Sequence, residues 1–242
     1  MPGYFGCEVI NKTDRTLPIT VHIAEDSLGG TGYFFGDLDE AIDKLNIDFE
    51  PIGLSFEVCD IRIMENFQFN FFDREDEEDY MLSMYYQVNT INIYLTNVVI
   101  ANGQEVGGYA KFPGAEDVMV IAKQNMNGDL DVLVHEMGHF FGLYHTFQTV
   151  DTGVELVDGS NCETAGDLIC DTEADANSTG SNLDFPDCNY NGLPVTDANG
   201  DFYVPPTNNY MSYYSDECTC RFTPQQYNRM LEQFQLFRTN LW

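Results

Sequence analysis

Positive charge and histidine are both scarce in this sequence. Its 242 residues hold 10 Lys and Arg against 40 Asp and Glu, a formal net charge of -30. Such a surface repels nucleic acid phosphates and anionic lipid, and favours cationic peptides or divalent ions as partners. No apolar run reaches the roughly 18 residues that a membrane span requires. The richest stretch, INIYLTNVVIA, is short and carries asparagines. The opening MPGYFG lacks the basic start and apolar middle of a signal peptide, so a secreted form is expected to carry an earlier segment. No internal repeat is visible.

What is present describes an ordinary globular chain, with 43% hydrophobic and 14% aromatic residues and enough length to bury a sizeable core. Of seven cysteines, Cys162, Cys170, Cys188, Cys218 and Cys220 fall in the last third, a region rich in Gly, Asn and Asp. Covalent staples are most useful where periodic structure is poor, so these cysteines point to disulfides and an oxidising compartment. The Cys-Thr-Cys spacing of Cys218 and Cys220 does not suit a zinc finger. An odd total leaves one thiol over, and Cys7 is the easiest to leave unpaired.

The first half alternates strand and helix patterns. Leu17 to Ala24, Leu54 to Ile63, Thr90 to Thr96 and Asp117 to Ala122 are β-branched, apolar segments bounded by polar residues and read as strands. Between the first two, Gly36 to Phe49 places Leu38, Ile42 and Leu45 at helical spacing. The acidic run Asp73 to Asp79 reads as a solvated loop. Gly107 to Gly114, flanked by glycines and closed by Pro113, suits an edge strand. A further helix is expected from about Gly128 to Gly142. The chain is then irregular, with a hairpin about Asn199 and Gly200, until Thr223, Pro224 and Gln226 launch a terminal helix through a capping box.

Three of the four histidines lie within HEMGHFFGLYH. His135 and His139 are one helical turn apart, so both imidazoles can reach one ion. A catalytic zinc needs three protein ligands and an open position, and a helix that ends at Gly142 lets the chain bring His145 round as the third. Glu136 is not spaced to ligate the ion with them. Beside the open position it can take a proton from zinc-activated water and pass it to a departing amine. The remaining histidine, His22, lies in an early strand and reads as an ordinary packed residue. If Gly108, Tyr109 and Ala110 rim the site, an extended peptide can add to that edge through backbone hydrogen bonds.

The complete HExxHxxGxxH pattern, with NNYMSY (Asn208 to Tyr213) as a turn carrying Met211, resembles the metzincin metalloproteases. The blocks VHEMGHFFGLYHTFQ, GDLICDTEAD and NNYMSYYSDECTCRFTPQQYNRM are similar to those of the pappalysin family, with weaker similarity upstream through LPITVHIAED, INIYLTN and GGYAKFPG. This resemblance implies a metzincin-like α+β catalytic domain over residues 1–242, with an N-terminal lobe at 1–145 and a C-terminal lobe at 146–242. A twisted, mostly parallel sheet with a backing helix and the zinc-site helix would precede an irregular, disulfide-stapled lobe ending in a helix.

It further implies that Met211 lies beneath the metal and that Tyr213 reaches the zinc or stabilises the oxyanion. Glu217 would line a pocket for Arg or Lys after the scissile bond, and Asp167, Asp171, Thr172 and Glu173 would hold calcium. Two departures are present: Glu173 stands where family members commonly have proline, and the extra cysteines prevent transfer of the familial disulfide pairing. Cys162 with Cys188, and Cys170 with Cys218 or Cys220, are candidate pairs. Cys7 is left to Cys59 or to a propeptide thiol.

The expected activity is that of a secreted, monomeric zinc endopeptidase acting on proteins or peptides, with a propeptide in its precursor. A non-catalytic zinc-bearing adhesion or inhibitory module is the alternative.

Overall fold

The computed structural model describes residues 11–127, 130–176, 183–184, 186–215 and 217–241. Its elements in chain order begin with β1 (Arg15–Ala24), α1 (Phe35–Phe49), β2 (Leu54–Met64), β3 (Phe71–Asp73), α2 (Arg74–Tyr85) and β4 (Ile91–Thr96). There follow β5 (Val98–Ala101), β6 (Gln104–Val106), β7 (Gly108–Ala110), β8 (Val118–Ala122) and α3 (Asp131–Phe140). The last are β9 (Leu183–Asp184), β10 (Asn189–Tyr190) and α4 (Pro224–Phe237). The chain divides into two compact units, one of Lys12–Phe141 with Glu232–Trp242, the other of Gly142–Leu231 with the first eleven residues.

The first unit is built on a five-stranded sheet of order β2-β1-β4-β8-β7, parallel except for β7, which pairs antiparallel with β8 at one edge. β4 and β8 are buried along their whole length, as expected of central parallel strands covered on both faces. α1 buries Leu38, Ala41, Ile42, Leu45 and Phe49 and packs on β2 and α3. A second apolar cluster joins Met64, Phe69, Phe72, Met81, Tyr94, Val99 and Tyr109. It lies with a small sheet of order β3-β5-β6 that the sequence reading had not separated.

The acidic run at 73–79 is not a loop. Asp73 accepts the backbone N–H of Glu75 and caps α2, whose first turn then holds Glu75, Asp76 and Glu77. Carboxylates at a helix N-terminus meet the positive end of its dipole, so the charge density that resembles a solvated loop is a helix start.

Polar groups also sit inside the sheet. His22 is fully buried, its Nε2 3.0 Å from Asn92 Oδ1 and its ring stacked 4.4 Å from Tyr94. Burial lowers its pKa to about 4. Lys123 is buried with its ammonium donating to Ala24 O, Thr31 O and Asn70 Oδ1 at 2.6–2.7 Å.

In the second unit, turns, single bridges and the two-residue antiparallel pair β9 and β10 stand in place of a large sheet. Disulfides join Cys162 to Cys170 and Cys188 to Cys218, which corrects the candidate pairs taken from the sequence. Cys59 and Cys220 are free and exposed, and Cys7 lies outside the described residues. Thr196 bridges Phe202 across a turn in which Asp197 accepts the N–H groups of Asn199 and Asp201. The capping box forms as the sequence predicts: Thr223 N–H donates to Gln226 Oε1 at 2.9 Å, and Gln226 N–H to Thr223 Oγ1 at 3.2 Å. No helix among the described residues is long and apolar enough to cross a membrane.

Candidate metal centre and active site

α3 buries Leu133, Val134, Met137 and Phe140, and Asp131 in its first turn lies 3.5 Å from Lys44. His135 and His139 follow each other by one turn with ring centroids 4.6 Å apart, edge to face. The helix ends because Gly142 takes φ 87°, a left-handed conformation that a side chain disfavours. Phe141 N–H returns to Met137 O, and the Gly142 carbonyl accepts Arg229 Nε at 3.1 Å. That turn redirects the chain, and His135, His139 and His145 each offer one ligand atom within 4.8 Å of the others.

Three imidazoles brought together in this way can serve as ligands to one ion and leave a position open, the donor count of a catalytic zinc site. Neutral imidazoles with no carboxylate among them suit zinc better than a hard cation. The residues therefore fit the ion that the motif implies.

Glu136 is buried, and its Oε2 has no hydrogen-bond partner among the described residues. Burial pushes its pKa up to about 8. β7 runs beside it: a Cβ added to Gly108 would stand 3.4 Å from Glu136 Cγ and 2.9 Å from Val120 O, so only glycine lets strand and helix approach this closely. Tyr109 turns the other way, buried, its hydroxyl donating to Glu78 Oε1 at 2.8 Å. At that position the strand has its backbone to offer. Phe112, just beyond β7, lies against His139 with ring centroids 5.3 Å apart.

Within the second unit, His145 is stacked on Phe147 at 4.7 Å and meets the exposed Tyr213 edge-on at 4.6 Å. Met211 is completely buried, and its carbonyl accepts Thr146 N–H at 3.0 Å. Asp175 accepts Thr146 Oγ1 at 2.9 Å and Tyr214 Oη at 3.4 Å, so one carboxylate steadies the neighbours of both His145 and Tyr213. Glu217 is exposed, directly before the bridged Cys218.

The four residues singled out for calcium do not act as one group. Asp167 and Thr172 are bonded to each other at 3.1 Å. Asp171 accepts Thr223 Oγ1 at 2.5 Å and Gln225 N–H at 2.9 Å, and so caps α4. Glu173 pairs with Arg221 at 3.6 Å. The sequence reading missed Glu155, buried like Asp167. Both carboxylates keep one oxygen without a hydrogen-bond partner among the described residues. Burial raises Glu155 to about 8, with a further push from Asp167, and raises Asp167 to about 7. Nothing but its one acidic side chain marked Glu155 among forty acids.

Comparison with known proteins agrees with these observations. An extracellular metalloprotease of Pyricularia oryzae is 28% identical over 96% of this chain and 80% of its own length. Mouse pappalysin-1 is 30% identical over 58% of this chain, a span that makes up 9% of that protein. Mature mirolysin of Tannerella forsythia, solved with a cleaved peptide, shares the fold at TM-score 0.63, with 19% identity over 95% of this chain and 98% of its own. The profile of the family Peptidase_M43, described by pregnancy-associated plasma protein-A, matches residues 75–235, and the chain belongs to that family of zinc metalloendopeptidases.

Proposed function

We propose that this chain is a secreted endopeptidase in which Glu136 moves the proton during hydrolysis. The observation that carries this reading is the buried carboxylate next to the clustered imidazoles, with its Oε2 uncommitted. His135, His139 and His145 would hold zinc, which when bound supplies a Lewis acid that acidifies water and polarises a carbonyl. Glu136 takes a proton at its uncommitted Oε2 and returns it to the departing amine. Tyr213, packed edge-on against His145, donates its hydroxyl to the developing oxyanion, and Met211 forms the apolar floor.

The peptide is read mainly through its backbone, by addition to β7 through Gly108, Tyr109 and Ala110. Glu217 selects Arg or Lys after the scissile bond by charge. Calcium binds in the second unit at Asp167, Thr172 and Glu155, where each of the two carboxylates keeps an uncommitted oxygen of the kind a hard cation takes. Two disulfides and relatives named as extracellular support secretion.

The test compares wild type with Glu136→Gln on a denatured protein, with zinc content measured in both. Loss of at least about a hundredfold in kcat with zinc retained is expected; equal cleavage removes Glu136 from the mechanism. Mapping the cut sites of wild type and Glu217→Gln in a peptide library tests specificity, and an unchanged preference between the two removes Glu217 from the pocket.

A further inference from the structure

We propose that Arg238 is a positioning residue for the zinc ligand His139, acting through Phe112. This inference rests on the zinc reading above. The guanidinium of Arg238 is fully buried, an uncommon place for a cation. Its Nη1 donates to Asp117 Oδ1 at 2.7 Å, Ala115 O at 3.0 Å and Glu116 O at 3.2 Å. Its Nη2 donates to Lys111 O at 2.7 Å and Phe140 O at 3.3 Å. Asn240 Nδ2 holds the second oxygen of Asp117 at 2.6 Å. The charged centre lies 3.9 Å over the ring of Phe140, while Nε has no partner among the described residues.

The choice of acceptors gives this residue its meaning. Lys111 precedes Phe112, and Phe140 follows His139. A single planar group therefore ties together the chain neighbours of the two rings that meet at 5.3 Å. It fixes how the segment leaving β7 closes on the C-terminal turn of α3, and so the face that Phe112 turns to His139.

A buried ion pair is weak evidence for stability, since desolvation offsets most of its attraction. The N–H groups of Nη1 and Nη2, directed by a rigid fork, are by contrast well suited to holding geometry. Lysine has the charge without the fork and cannot span both carbonyls in the same way. Groups that orient a ligating histidine affect metal affinity as well as turnover.

The experiment measures zinc dissociation constants by chelator competition in Arg238→Lys and Phe112→Leu, with folding checked by near-UV circular dichroism. Both variants are expected to bind zinc about ten- to a hundredfold more weakly than wild type. Both should also lose kcat, with KM for a peptide moved by less than about twofold. The double variant should be no weaker than the worse single one, because both act through the same contact.

Unchanged zinc affinity in folded Arg238→Lys, or full additivity of the two changes, overturns the proposal. If Arg238→Lys does not accumulate folded, Phe112→Leu leaves the Arg238–Asp117 pair in place and carries the test, and wild-type zinc affinity in that variant overturns it. Failure of wild type itself to take up zinc overturns the metal reading too, whereas normal uptake by wild type with unchanged variants removes only the role of Arg238.

Discussion

The two compact units hold themselves together in different ways. In Lys12–Phe141 with Glu232–Trp242, three central strands and two helices bury continuous apolar rows, and Phe49 meets Phe56 and Phe141 in one aromatic cluster. In Gly142–Leu231 before α4, the strands among the described residues have two residues each, and order comes from two disulfides and from side chains that bond nearby backbone. Asn161 and Asp197 accept the N–H groups of Leu156 and Val157, for example. His135, Glu136 and His139 stand on a helix set in a packed core, whereas His145 and Tyr213 stand on turns. Rigidity for chemistry can thus be reached by apolar area or by cross-links and polar turns, and each fails under different conditions.

This contrast makes predictions that can break it. Phe49→Ala, which empties a fully buried site in the sheet unit, is expected to lower unfolding free energy by about 3–5 kcal/mol in urea titration. Removing the Cys188–Cys218 bridge, 30 residues in separation, should cost about 3–4 kcal/mol by chain entropy. Removing Cys162–Cys170, with separation 8, should cost about 2–3 kcal/mol by the same argument. In both disulfide variants, amide exchange should rise in Gly142–Leu231 while β4 and β8 stay protected; a uniform rise across the chain would erase the distinction between the units.

Acid should act first on the sheet. His22 is kept neutral in the fold, with its pKa depressed from 6.5 to about 4, so the unfolded chain binds the extra proton between those values. Its contribution is therefore complete above about pH 6.5 and falls away towards pH 4, by up to about 3 kcal/mol. His22→Leu should flatten that limb of the stability curve, and a limb of unchanged slope would remove His22 as its source. An effect comparable to that of Cys162–Cys170 is expected from calcium. At a hundred times its dissociation constant the ion would add about 2.7 kcal/mol, so EGTA should lower the melting temperature and raise exchange around Glu155 and Asp167. No change in either would count against the proposed site.

Most of the sheet unit was legible in the sequence because its segments are strongly periodic, and HEMGHFFGLYH carried its geometry in its spacing. The capping box at Thr223 and Gln226 was equally plain, being a local exchange of two hydrogen bonds. What escaped depended on partners distant in sequence. The run from Asp73 to Asp79 looks the same as a loop or as a capped helix until Asp73 meets Glu75 N–H. The disulfides needed spatial proximity that spacing does not encode. Glu155 became notable only beside Asp167, and Asp171, well placed in sequence for a cation, proved to be capping α4. Arg238, one of only ten cations, gave a faint signal of its own by lying at the end of an otherwise apolar helix face.

The placement of Arg238 bears on how the protein can be made. A ribosome releases β1 to α3 first, then all of Gly142–Leu231, and only afterwards the residues that complete the earlier unit. Until then the carbonyls of Lys111 and Phe140 and the carboxylate of Asp117 lack the guanidinium that satisfies them in the finished fold. The early intermediate must therefore keep this surface hydrated while the bridged segment is assembled. Shortening the chain ahead of Arg238 would leave the nascent sheet without its last support, however complete its strands.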